Sequence, residues 1–121
     1  MKKVICVLAL SFVMFQANAQ EVAPKDILVA GKKEYAEYAK KEADFVAEYC
    51  GLTKVQRNNL FYIFEKKYEF LSQDMSTKKI EWVSDFVGER MRSLLSAEEF
   101  EKIARKPKAM IKLTGTIYLT K

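Results

Sequence analysis

The sequence predicts an all-α chain: an antiparallel helical hairpin of three long helices plus a short fourth, closed by an extended C-terminal tail of uncertain form. Three observations carry this. Helix breakers are sparse, with four Gly and two Pro in 121 residues. Apolar residues recur at three- and four-residue steps, which places them on one face of a helix. Two segments carry the reciprocal Ser/Thr-x-x-Glu/Gln pattern that starts a helix.

The first twenty residues differ from the rest. Met1-Lys2-Lys3 is a short positive start, and Val4–Phe15 is uncharged and apolar apart from Ser11. Ala17-Asn18-Ala19 then supplies the small–x–small pattern of a cleavage site. Residues 1–19 therefore read as a cleavable export signal. The apolar run is too short for a membrane span, which needs about 20 apolar residues. Localisation is then periplasmic or secreted, with a mature chain starting near Gln20. Lys2 and Lys3 leave with the signal, so the formal charge falls from +5 to +3. That is mildly basic, with Lys spread among Glu, and it is no nucleic-acid footprint.

Removal of the signal also takes Cys6 and leaves Cys50 as the single cysteine of the mature chain. A disulfide framework, the usual staple of a small secreted protein, is thereby excluded. Cys50 either pairs with a second subunit or is buried, and burial is the commoner fate of a free cysteine.

Residues 20–31 form a leader with Pro24. A helix follows over Lys32–Cys50, its stripe running Tyr35, Tyr38/Ala39, Glu42, Phe45/Val46 and Tyr49. Only Glu42 interrupts it. Gly51 then suits a left-handed C-cap. Thr53-Lys54-Val55-Gln56 is a capping box, and the helix it opens runs from 54 to about 73, with Leu60, Ile63/Phe64, Lys67/Tyr68 and Leu71 on one face. Ser72–Thr77 is a turn. The third helix spans about Lys78–Leu94, with Ile80, Val83, Val87, Met91 and Leu94 in register; Gly88 weakens its middle by about 1 kcal/mol relative to Ala. Ser96-Ala97-Glu98-Glu99 is the second capping box, with Leu95 and Phe100 at the staple positions, and it opens a short helix over Ala97–Arg105. The domain thus covers 32–106. The tail, 107–121, mixes Met110, Ile111, Leu113, Ile117, Tyr118 and Leu119 with Thr around Gly115. It fits a strand pair, a docked extended segment or a frayed end.

Two of these boundaries repeat one design. Leu52-Thr53-x-x-Gln56 and Leu95-Ser96-x-x-Glu99 each place a Leu before an N-cap hydroxyl and an amide or carboxylate at the third helical position. In an exported, all-helical chain this resembles the Spy/CpxP family of small periplasmic proteins, whose hallmark is a repeated LTxxQ motif. The first copy matches in full; the second carries Ser for Thr and Glu for Gln. The resemblance covers roughly residues 30–105 and implies a helical hairpin, often a cradle-shaped dimer. It also implies ATP-independent chaperoning of unfolding periplasmic proteins or restraint of an envelope-stress sensor.

Chemistry is conspicuous by residue type. The chain has no His, which removes the commonest general base and metal ligand. One cysteine cannot build a Cys-rich zinc site. No Gly-rich phosphate loop or nucleophile elbow occurs. Pairs such as Glu98/Glu99 read as helix-surface charge that suits a first turn. The expectation is a non-enzyme with no cofactor and no metal.

Aromatics are the positive signal. One thin core cannot take all of them, so some are expected beside Lys as a protein-binding surface: Tyr38, Phe61, Tyr62, Phe64, Tyr68 and Trp82. A homodimer or the tail is the alternative cover. The expected partners are unfolded or envelope proteins. The alternatives are a regulatory or structural protein holding one specific envelope partner, or a small-ligand pocket lined by the aromatics.

Overall fold

A computed structural model describes residues 22–120; the export signal expected at residues 1–19 lies outside them. Among the described residues there are six α-helices, one 3-10 turn and no strand. They are α1 (Pro24–Val29), α2 (Lys32–Cys50), α3 (Lys54–Gln73), α4 (Thr77–Leu94), α5 (Ala97–Ala104) and α6 (Pro107–Thr114), with the turn at Thr116–Thr120. The all-helical expectation holds. The hairpin of three long helices plus one, with an extended tail, gives way to this six-helix arrangement.

Local chemistry sets the boundaries. Gly51 ends α2 at φ 69°, a left-handed conformation that costs glycine nothing, and the Gly51 and Leu52 amides both donate to the Ala47 carbonyl. At the start of α3, Gln56 N donates to Thr53 Oγ1 (3.1 Å) and Thr53 N donates to Gln56 Oε1 (2.9 Å). Ser76 Oγ accepts from Lys79 N to open α4. At α5, Glu99 N donates to Ser96 Oγ (3.1 Å) and Ser96 N to Glu99 Oε1 (2.9 Å).

Helix α3 is the central element, with α1, α2 and α4 all packed on it. Tyr35 at the start of α2 stacks on Tyr68 toward the end of α3, while Asp44 pairs with Arg57 near the opposite ends. The two helices are therefore antiparallel. Helices α3 and α4 are antiparallel too: Gln56 reaches the Leu94 carbonyl at one end and Phe70 meets Trp82 at the other. The core is built from Ala39, Ala43 and Val46 of α2, Leu60, Phe64 and Leu71 of α3, and Val83, Val87 and Met91 of α4.

The leader and the tail are the corrections. Residues 24–29 of the leader are helical, with Pro24 in the first turn where its missing N–H costs nothing. Ile27 is fully buried, and Tyr35 Oη donates to the carbonyls of Ile27 and Ala30. The tail is helix α6 followed by a 3-10 turn, and is neither extended, paired as strands nor frayed. Leu113 and Tyr118 enter the core, and Tyr118 Oη donates to the Val22 carbonyl at 2.6 Å.

The reason for the helical tail lies outside it. Lys67, fully buried on α3, aims its ammonium at the end of α6, donating to the carbonyls of Lys112 (3.2 Å) and Leu113 (3.0 Å). These are carbonyls that the end of a helix leaves without an internal partner. The same ammonium holds both carboxylate oxygens of Glu42 at 2.8 and 2.9 Å, and Tyr68 Oη donates to Glu42 Oε2. Gly115 then turns the chain at φ 89° beside Leu71 and Lys67.

Candidate functional site

Both long helices of the α3–α4 pair carry a ring–cation stripe at four-residue steps. On α3 it is Tyr62, Lys66 and Phe70; on α4 it is Trp82, Phe86 and Arg90. Four-residue spacing puts each set on one helix face. The two faces converge on an open groove of about 580 Å³, lined by Asn59, Tyr62, Ile63, Lys66, Phe70, Phe86, Arg90, Ser93 and Leu94.

The rings are mutually packed. Phe70 meets Trp82 edge-on at 5.1 Å and Phe86 edge-on at 5.5 Å, and Trp82 stacks on Phe86 at 5.8 Å. Edge-to-face and offset geometries suit the ring quadrupoles. Cations sit against the same rings. Lys66 Nζ is 5.6 Å from the Tyr62 centroid, Lys79 Nζ 4.5 Å from that of Trp82, and the Arg90 guanidinium carbon 5.3 Å from that of Phe86. Each is within cation–π reach. Tyr62 is 59% exposed and Trp82 50%.

The two capping boxes close one end of this groove. Gln56 Nε2 donates to Glu99 Oε1 at 3.0 Å and to the Leu94 carbonyl at 3.4 Å. The motif residues Thr53, Gln56, Ser96 and Glu99 thus form one connected hydrogen-bond set, although they are 43 residues apart in pairs. Leu52 is half-buried and Leu95 buried against the core. The Ser96 backbone amide, helped by Gln56, holds the Glu99 carboxyl below the usual range. Cys50 is half-buried beside this junction, its Sγ 3.5 Å from the Glu99 carbonyl, and burial raises its thiol pKa.

The structure divides the six predicted surface aromatics. Tyr62 stands exposed on the groove, and Trp82 stands exposed beside it, packed on the lining rings Phe70 and Phe86. Tyr38 and Phe61 are half-buried, with Tyr38 tilted against Tyr68 at 5.2 Å. Phe64 and Tyr68 are corrected: at 0% and 2% exposure they are core side chains. Both lie on the α3 side away from the stripe that carries Tyr62, where Tyr68 packs on Tyr35 and Tyr38 of α2. The groove residues not predicted are Lys66, Phe70, Phe86 and Arg90, with Lys79 beside them over the Phe70 and Trp82 rings. Steps of four from Tyr62 and Trp82 mark Lys66, Phe70, Phe86 and Arg90, and Lys79 stands three residues before Trp82.

The buried polar cluster of Lys67, Glu42 and Tyr68 has a different character. Burial lowers the Lys67 pKa and raises that of Glu42, and their mutual pairing opposes both shifts. Tyr68 is pushed well up by burial and by the Glu42 carboxylate. The ammonium has four oxygen acceptors and is buried, so the cluster joins α2, α3 and the end of α6.

Among the described residues no group of three or more His, Cys, Asp or Glu side chains is placed to hold a metal ion, and no helix is long and apolar enough to cross a membrane. Compared with known protein families, curated proteins and solved structures, the chain matches none.

Proposed function

We propose that this chain is an exported, non-enzymatic helical binding protein, resembling the ATP-independent periplasmic chaperones and envelope-stress proteins of the Spy/CpxP family. The observation that carries the reading is the open aromatic groove between α3 and α4, with exposed Tyr62 and Trp82 and with Lys66, Lys79 and Arg90 set against the rings. A small chain that buries most of its large apolar residues yet leaves these rings open fits a surface that takes up another polypeptide. The amphipathic cations keep that surface soluble while adding attraction. The export signal at residues 1–19 and the paired Leu52-Thr53-x-x-Gln56 and Leu95-Ser96-x-x-Glu99 boxes support the periplasmic reading.

The test is light scattering of an aggregating client with and without the purified chain. Suppression at near-stoichiometric ratios, lost on Tyr62→Ser with Trp82→Ser, is the expected result. No suppression at several-fold molar excess would overturn the chaperone reading. The groove's definite length, from Asn59 to Phe70 on α3, favours the second reading, a regulatory or structural protein that holds one envelope partner. A single stoichiometric partner in a pull-down, without client protection, would select it.

A further inference from the structure

We propose that the α3–α4 groove receives one amphipathic helix of about three turns from a partner protein, with its apolar stripe on Phe70, Phe86 and Leu94 and its carboxylates on Lys66 and Arg90. This rests on the binding-protein reading above and names the chemistry of the bound segment.

The shape argues for a helix. The groove runs from Asn59 to Phe70, eleven residues at about 1.5 Å each, or roughly 16 Å and three turns. Its walls are two antiparallel helices whose backbone groups are already paired internally. An extended peptide laid there would find no strand edge, and its own N–H and C=O groups would be left unpaired over an apolar floor. A helix brings its backbone already satisfied. The pair already holds a helical segment elsewhere: α6 and the 3-10 turn pack on α4, with Lys67 of α3 donating to the Leu113 carbonyl and Thr116 to Ser84.

The charge argues for acidic edges. Lys66 and Arg90 line the groove and Lys79 stands at its far end over Phe70, while no carboxylate is among its lining residues. Glu69 sits 3.5 Å from Lys66, a partly exposed contact that a better-placed carboxylate can share. A second copy of this chain facing the groove through a twofold axis would set Lys66 and Arg90 of one copy against the same residues of the other. Like charges across an interface are costly, whereas an acidic helix neutralises them.

Trp82 is the chain's single tryptophan and packs on the groove-lining rings Phe70 and Phe86, so its emission reports on a segment bound over those rings. The experiment titrates the chain without its first 19 residues with three synthetic peptides of roughly 14 residues. One carries Leu at i, i+3, i+4, i+7 and i+11 flanked by Glu; the second replaces Glu by Lys; the third keeps the acidic composition with a central Pro that prevents a helix. The first is expected to shift Trp82 emission saturably and to gain helical circular dichroism on binding. The Lys and Pro peptides are expected to bind at least about tenfold more weakly. Lys66→Glu with Arg90→Glu is expected to reverse the preference between the acidic and basic peptides. Equal binding of the Pro peptide, or an affinity unchanged by the double charge reversal, would overturn the proposal. So would a Trp82 shift produced by raising the protein concentration alone, which would put a second copy in the groove. Client protection without acidic-helix binding would remove this inference and leave the chaperone reading. Acidic-helix binding without client protection would do the opposite.

Discussion

Gln56 Nε2 donates to Glu99 Oε1 at 3.0 Å, so the two residues that complete the helix caps of α3 and α5 are bonded to each other. Glu99 Oε1 accepts at once from its own N-cap amide, Ser96 N, and from Gln56 of α3. Two local start signals are thereby converted into a tie between the N-termini of α3 and α5. Gln56→Ala removes the return arm of one box and the tie together, and is expected to cost about 1–2 kcal/mol in urea unfolding. With Glu99→Ala added, the loss should be smaller than the sum of the two single losses, because they share an interaction.

The same carboxylate makes stability depend on pH. Glu99 is held below its ordinary pKa in the folded chain, so it contributes stability that is fully present above the unfolded value. That contribution is lost as pH falls through the lowered folded value. Urea midpoints measured from pH 7 down to pH 3 should fall less steeply for Glu99→Gln than for the unsubstituted chain. Identical slopes would remove Glu99 from the account of acid sensitivity.

Lys67 is expected to be the costliest single polar loss. Lys67→Met strands the Glu42 carboxylate and uncaps the end of α6, at roughly 3–5 kcal/mol. Adding Glu42→Leu should recover part of that cost, since the stranded charge is gone. Hydrogen exchange supplies the finer check: amides of residues 110–118 should lose protection ahead of those in α3.

The division of the aromatics into core and surface can be read by substitution. Phe64→Ala should cost about 3–5 kcal/mol, as a fully buried ring leaves a cavity. Tyr62→Ala, at an exposed position on the same helix, should stay within about 0.5 kcal/mol. Equal effects on the thermal midpoint would contradict the placement of the two rings.

Gly88 offers a stabilising change. It sits inside α4, and a Cβ added there would meet nothing within 4 Å. Gly88→Ala should therefore gain up to about 1 kcal/mol through helix propensity, seen as a rise of roughly 4–8 °C in Tm. Gly115→Ala, at φ 89°, should lower Tm instead.

Much of this architecture was legible in the residues because its causes are local. The Thr53 and Ser96 boxes, the Gly51 stop and the three-and-four spacing along α2, α3 and α4 each act within a few residues. The helix limits follow from them. The groove is half legible: the sequence marks Tyr62 and Trp82 as surface rings, but it places Phe64 and Tyr68, which the core buries, beside them. Which side of α3 faces water depends on α1, α2 and α4 packed on it, and adjacent aromatics cannot reveal that.

By itself, the sequence determined the all-helical class, the three long helices and the two capped starts, through interactions spanning four residues or fewer. Tertiary structure decided the tail, the pairing of the caps and the site. The end of α6 is capped by Lys67, some 45 residues away, and the charge of Lys67 is tolerable in the core only because Glu42 lies against it. The ring–cation stripes of α3 and α4 become one groove because the two helices pack antiparallel and the remaining helices cover only their other side. Spacing can place residues on a face, but which faces meet is settled by the packing of the whole chain.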